Sequence, residues 1–258
     1  MLPIAWIFIS AFTPSAQLLK EKVFGIFPAE FTIDNFVRVI GDPRFQDYFG
    51  NSVISALACT LATVALSIPA GYALGRLEFR GGIHIVRLIL MAYVLPSTLL
   101  VVPFFLILIQ LKLFNSLLGF IIAAVALSLP FCIWIMMSFF RSIPRELQEA
   151  AYIDGCGPLR AGTLVMLPLA VPGVVTIAVF SFMQSWNEYL FALVLLDSDS
   201  VKTLPIGVRV SYITEYMGPQ EWTSLMAAAV ISAIPIFLIF LGLQRHLVSG
   251  LTSGSVKG

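Results

Sequence analysis

Charge is scarce in this sequence. Only 11% of its 258 residues are Asp, Glu, Lys or Arg, against about 25% in soluble domains. The net charge is +1, and the basic residues are scattered through short segments, so nothing points to nucleic acid as a partner. Cysteine is nearly absent: Cys59, Cys132 and Cys156 fit neither a disulfide frame nor a zinc site. The first two fall inside apolar runs and read as small packing residues. The two histidines, His84 and His246, stand alone at helix ends. Paired carboxylates, a nucleophile with its base and a metal cluster are all missing, which argues against a membrane-embedded enzyme. What fills the space is apolar: 59% of residues are hydrophobic and the mean hydropathy is +0.96. A soluble fold of this length could not hide that much apolar surface, whereas lipid removes the need.

A bilayer core takes about 20 mainly apolar residues in helical form. Five uncharged stretches meet this length, over 51–75, 88–111, 113–140, 161–187 and 222–244. The fifth span is taken on to 196. An open strand in lipid would strand its backbone polar groups, so all are read as helices. A sixth apolar stretch covers 1–13. As a signal peptide it lacks a basic n-region, and it reads instead as the outer part of a first helix whose beginning is missing or short. The expected fold is an all-α integral membrane protein. It is a six-helix transmembrane bundle forming one domain over 1–258.

Lys and Arg set the orientation. Arg76, Arg80 and Arg87 follow the second span, Arg141, Arg145 and Arg160 follow the fourth, and Arg245 and Lys257 lie in the tail. The alternate segments, 14–50 and 196–221, carry Glu21, Glu30, Asp34, Asp42, Asp47, Asp197, Asp199, Glu215 and Glu221. The basic set is therefore predicted to be cytoplasmic, with both termini inside. Pro69, Pro96, Pro103, Pro130, Pro172 and Pro235 interrupt the spans, either as packing kinks or as hinges. Gly71 and Gly75 form a GxxxG pair that allows close helix approach.

The segment 141–160 is more than a connector. Pro144 can open a helix, with Glu146 and Glu149 in its early turns where the dipole favours acid. Leu147, Ala150 and Ala151 are placed on one face, and Gly155 closes the helix. Two adjacent alanines would let a partner's surface come close. In the fifth span Ser181, Gln184, Ser185 and Glu188 share a helical face, with Trp186 and Asn187 beside them. This face is either a cavity lining or an interhelical seam. Glu188 lies about 30 Å along from Pro168 at ~1.5 Å per residue, near the outer interface. The outer segment with Tyr212, Tyr216 and Trp222 suits either a protein contact or packing on its own helices.

Glu149-Ala150-Ala151, Gly155 and Val165-x-Leu167-Pro168 resemble the EAA loop of binding-protein-dependent ABC permeases. Val165 departs conservatively from the usual Ile, and Cys156 replaces a small residue. Phe139-Phe140-Arg141-Ser142-Ile143-Pro144, Trp186-Asn187-Glu188-Tyr189 and the closing segment 250–258 are similar to carbohydrate-uptake permeases of the maltose-transporter type, in particular the shorter, six-span partner. The likeness runs from about residue 30 onward.

The resemblance implies a cytoplasmic coupling helix, with Glu149, Ala150, Ala151, Asp154, Gly155, Leu167 and Pro168 transmitting motion from an ATPase dimer. It implies a second permease subunit as heterodimer partner and an extracytoplasmic substrate-binding protein. Ser181, Gln184, Ser185, Asn187 and Glu188 become candidates for the translocation path. Thr252, Ser253, Gly254 and Lys257 become a tail that reaches the ATPases. That tail lacks the spacing of a phosphate loop and no strand precedes it. No cofactor is expected on this chain, since ATP and magnesium would sit on the ATPase. The implied place is a bacterial cytoplasmic membrane. A competing reading is a proton-coupled carrier or channel that titrates Glu188.

Overall fold

The structure is a computed structural model that describes residues 2–18, 30–77, 79–213 and 218–252. Every regular element among them is helical. Two short helices, α1 (Leu2–Ala11) and α2 (Ser15–Leu18), lead to α3 (Asp34–Gly41) and the long α4 (Pro43–Arg76). Next come α5 (Gly82–Val94), α6 (Ser97–Gln110), α7 (Leu117–Ser142), α8 (Arg145–Ile153) and α9 (Pro158–Ala161). A π-helical turn over Gly162–Met166 joins α9 to α10 (Leu167–Leu169) and α11 (Val171–Trp186). After α12 (Leu190–Leu195) come a 3₁₀ turn at Asp199–Val201, α13 (Leu204–Tyr212) and α14 (Pro219–Thr252).

Local chemistry sets several of these ends. The Asp42 carboxylate accepts from the Arg44 amide at 3.0 Å and Pro43 opens the first turn, so α4 starts eight residues before the predicted span. The Ser116 hydroxyl accepts from the Gly119 amide at 3.1 Å and starts α7. Asn115, in the left-handed region at φ 55°, accepts from the amides of Asp197 and Ser198, both at 2.9 Å. It thereby ties the α6–α7 turn to the segment after α12.

Among the described residues α4, α7 and α14 are each long and apolar enough to cross a membrane, and the count reaches five if each of two bent pairs is one span. The stretch 88–111, read from sequence as one span, is broken. Leu95 and Pro96 are extended, and α5 and α6 meet at 99°. Proline disfavours helical geometry in its predecessor, and here the chain turns on it. The fifth stretch, 161–196, bends by 77° between α10 and α11, where Pro172 removes a donor in the first turn of α11, and it breaks again at Asn187. Helix α1 has 10 residues and packs along α14; about 15 Å of helix falls short of a bilayer.

Helices α4, α7 and α11 form the centre. A Cβ on Gly71 would lie 2.5 Å from the Met136 Cβ, and one on Gly75 would lie 3.0 Å from the Met137 carbonyl oxygen. The GxxxG pair is thus the line on which α4 meets α7. Farther along the same seam Thr63 Oγ1 and Ser128 Oγ are 3.0 Å apart, with Cys59 beside both. Phe45, Tyr48, Trp186 and Ile231 fill one core cluster, Phe120, Phe191 and Ile206 a second, and Tyr72, Met136, Phe140 and Ile177 a third. Large apolar side chains on α5 and α6, among them Leu88, Met91, Val94 and Leu99, are exposed, as a lipid-facing or subunit-facing surface would be.

Candidate functional site

Helix α8 lies just past the end of α7 and projects between α7 and α9. Pro144 is extended (φ −54°, ψ 139°) and precedes the helix, one position earlier than expected, and Glu146 occupies the first turn. At the other end Asp154 is the last residue near helical geometry, and Gly155 turns left-handed at φ 81°. The Gly155 amide donates to the Tyr152 carbonyl at 3.1 Å, and the Cys156 amide donates to the Ala151 carbonyl at 2.9 Å. These bonds satisfy carbonyls that a helix end otherwise leaves open, and the φ favours glycine.

The faces of α8 differ from the expected grouping of Leu147, Ala150 and Ala151. Gln148 and Ala151 are buried, while Leu147, Glu149 and Ala150 are exposed. The inner face is chosen by hydroxyls as much as by hydrophobicity. Gln148 Nε2 donates to the Tyr152 hydroxyl at 2.6 Å, and the Tyr72 hydroxyl donates to the Pro158 carbonyl at 2.9 Å. The Tyr72 ring also fills the space over Gly162, where a Cβ would come within 2.9 Å of it. Ala151 therefore serves packing within the chain, and Ala150 is the small residue left on the surface. Ile153 and Leu159, 86% and 82% exposed, flank the turn. Such apolar exposure beside Glu146, Glu149 and Asp154 suits a contact with another protein. Leu167 is half-buried and Pro168 exposed on α10, just beyond the π turn.

Tyr72, Gln148 and Tyr152 were not singled out from the sequence. Tyr72 and Pro158 are 86 residues apart, and no local pattern joins them.

The polar residues of α11 divide by depth and role. Ser181 and Ser185 are buried, and Ser181 donates to the Ile177 carbonyl at 2.8 Å. Gln184 and Glu188 are half-buried, and Asn187 is exposed. Asn187 Nδ2 donates to the Met183 carbonyl at 2.8 Å, and Glu188 Oε1 accepts from the Phe191 amide at 3.0 Å. Together they end α11 and start α12. Trp186 is an interior residue: its indole N–H donates to the Ser232 carbonyl at 3.2 Å and its ring stacks on Phe182. A groove of about 350 Å³ beside it is lined by Asn187, Val208, Ser232 and Ile236. In the outer segment Tyr212 is buried, which pushes its phenol up to about 12, and Trp222 is part-exposed. The Lys202 ammonium 2.6 Å from Asp199 holds that carboxyl below its usual range. Thr252 is the last residue of α14. Ser253, Gly254, Lys257, Glu21, Glu215 and Tyr216 lie outside the described residues. Among the described residues no three His, Cys, Asp or Glu side chains gather as metal ligands.

The fold is that of a multi-span helical bundle with an exposed surface helix, α8, between α7 and α9. Residues 67–253 match the family described as binding-protein-dependent transport system inner membrane component, and the chain belongs to that family. It is 35% identical over its whole length, and over 89% of the relative's, to the sulfoquinovosyl glycerol transport system permease protein SmoH of Agrobacterium fabrum. It is 34% identical to the trehalose/maltose transport system permease protein MalG of Thermococcus litoralis, covering 100% of this chain and 92% of that one. A chain of a bacterial ABC transporter that imports alginate superposes with a TM-score of 0.83 over 94% of this chain and 89% of that one; at 24% identity this likeness concerns the fold. The chain is thus a non-catalytic permease subunit of a binding-protein-dependent ABC importer and a multi-pass membrane protein.

Proposed function

We propose that this chain forms half of the translocation path for a sugar or related solute, and that α8 couples that path to ATP hydrolysis on a separate ATPase. The observation that carries the proposal is the two-sidedness of α8. Its inner face buries Gln148 and Ala151, with Gln148 held to Tyr152, while its outer face presents Leu147, Glu149, Ala150 and Ile153 to a partner. Glu149 and Asp154 are placed to pair with basic groups across such an interface. Leu167 and Pro168 belong to the lever that carries motion from α9 into α11. Sugar as cargo rests on relatives whose names specify sulfoquinovosyl glycerol and trehalose or maltose.

In this reading a loaded binding protein docks outside, where Tyr212 and Trp222 lie. A second permease subunit completes the path, and closure of the ATPase dimer moves α8 and rocks the bundle outward. Hydrolysis of ATP then resets it. The basic end of α4, α7 and α8 faces the cytoplasm of a bacterial cell, with both termini on that side, and the tail from Thr252 through Ser253 and Gly254 to Lys257 reaches the ATPases. Gln184, Asn187 and Glu188 are the path candidates, whereas Ser181 and Ser185 are better suited to the helix seam. As for a proton carrier that titrates Glu188, its carboxylate is occupied in starting α12.

The test is co-purification from mild-detergent membranes of wild type and Gly155→Arg. Wild type should bring down an ATPase and a second permease, and the variant should lose the ATPase and solute uptake while still inserting. Wild-type uptake by Gly155→Arg, or uptake by the isolated chain without ATP, would sink the proposal.

A further inference from the structure

We propose that the groove between the ends of α4 and α7 and the start of α5 binds the phosphate headgroup of an anionic phospholipid. The groove has a volume of about 740 Å³, and its wall includes Arg76, Arg80, Arg141 and Arg145 together with Phe79 and Ile83. Two of the guanidinium groups are held in place by backbone. Arg76 donates to the Ile143 carbonyl, and Arg141 donates to the Leu74 carbonyl at 3.2 Å. Each guanidinium carries five donors in a fork that matches phosphate oxygens, so one bond to the backbone orients the group and leaves others for a ligand. Arg80 adds charge from the exposed turn before α5.

A second observation comes from α5. This 13-residue helix starts at Gly82, in the wall of the groove, after Gly81 at φ 93°, and no side chain caps it. The positive end of its dipole adds to the arginines. Among the described residues, α8 brings Glu146 near enough to Arg76 to act on its charge, and Glu149 lines an adjoining smaller groove with Gln148 and Tyr152.

The wall is half apolar, and this decides between a lipid and an acidic protein segment. Phe79 and Ile83 are exposed at the mouth, and the exposed side chains of Leu88 and Met91 continue along α5. The groove opens where helices of membrane-crossing length end, at Arg76 and Ser142. A phosphate among the arginines could therefore keep its acyl chains against α5, a combination that basic pockets at membrane-helix ends offer to anionic lipids.

The test is native mass spectrometry of the purified chain in detergent with equal phosphatidylglycerol and phosphatidylcholine. Wild type should retain phosphatidylglycerol by about tenfold over phosphatidylcholine, and Arg80→Gln/Arg141→Gln should retain the two equally. Arg80→Lys/Arg141→Lys should keep most of the preference. If the double glutamine variant unfolds, the exposed Arg80→Gln alone should show a partial loss. The proposal is overturned if wild type shows no preference, or if the preference survives in Arg80→Gln/Arg141→Gln. It is also overturned if millimolar inorganic phosphate removes the preference, which would mark a site for free anions.

Discussion

Replacing Gly155 by alanine should loosen the turn after α8, whereas the same change at Gly157 should not. At both positions a Cβ would meet nothing within 4 Å, so crowding contributes nothing to either variant. The backbone separates them. Gly155 sits at φ 81°, and Gly157 at φ −74°, ψ 169°. A left-handed conformation costs an L-residue roughly 1–2 kcal/mol. At Gly157 the extended backbone accepts alanine freely, and a stiffer unfolded chain could add about 0.4–1 kcal/mol of stability. The difference of about 1–2 kcal/mol corresponds to roughly a 5- to 30-fold change in opening of the turn. The amide to watch is that of Cys156, which donates to the Ala151 carbonyl. Hydrogen exchange there should quicken by that factor in Gly155→Ala and stay at the wild-type rate in Gly157→Ala. On the coupling proposal, ATPase affinity should fall in the same order. Equal exchange in the two variants would refute the argument that a left-handed glycine holds the end of α8.

Tyr72→Phe keeps the ring over Gly162 but removes the donor to the Pro158 carbonyl, a loss of about 1 kcal/mol. Solute moved per ATP hydrolysed should fall while the ATPase still co-purifies, and an unchanged ratio would remove Tyr72 from the coupling route. Gly71→Ala sets a Cβ 2.9 Å from the Met137 backbone nitrogen and should cost about 1–3 kcal/mol in thermal unfolding; Gly50→Ala in the same helix meets nothing and should be neutral or slightly stabilising. Glu188→Ala should fray the start of α12 by about 1 kcal/mol, whereas Glu188→Gln keeps an acceptor oxygen and should leave uptake and its pH profile unchanged. Loss of uptake in Glu188→Gln would favour a titrating role instead.

The apolar stretches were legible because a bilayer demands length and the sequence supplies it without charge. Their breaks were not. Pro69, Pro96 and Pro130 look alike in sequence, yet only the stretch at Pro96 turns sharply. Pro69 lies between buried Ser67 and Gly71, and Pro130 between buried Ser128 and Cys132, so packing on both sides keeps those helices continuous. Leu95 beside Pro96 is exposed, and such support is missing there. In the same way Gly155 could be read as a helix stop from its position alone. The inner face of α8 could not, because Gln148 turns inward while bonded to Tyr152, and the neighbouring Tyr72 reaches the Pro158 carbonyl from 86 residues away. Asn187 and Glu188 drew attention as polar residues in an apolar stretch, and their hydrogen bonds lie where one helix ends and the next begins, a break the sequence pattern did not mark.

These contacts also constrain how a movement of α8 could travel. Tyr72 of α4 holds the Pro158 carbonyl at the start of α9, just past α8, and α4 is locked to α7 where Gly71 and Gly75 admit no Cβ without a shift. A pull on α8 along this route would therefore move α4 and α7 as one body. The softer route runs the other way, from α8 through α9 into the π turn at Gly162–Met166 and the 77° bend before α11. A π turn is wider than an α turn and often marks a functional site, and an abrupt bend has few backbone bonds to break. Helices α6 and α12 are held to each other by Phe104 against Phe191, and both pack on the frame at α7. On the proposed function, then, the element that changes its angle when α8 is displaced is α11, and the α4–α7 pair is the frame against which it turns.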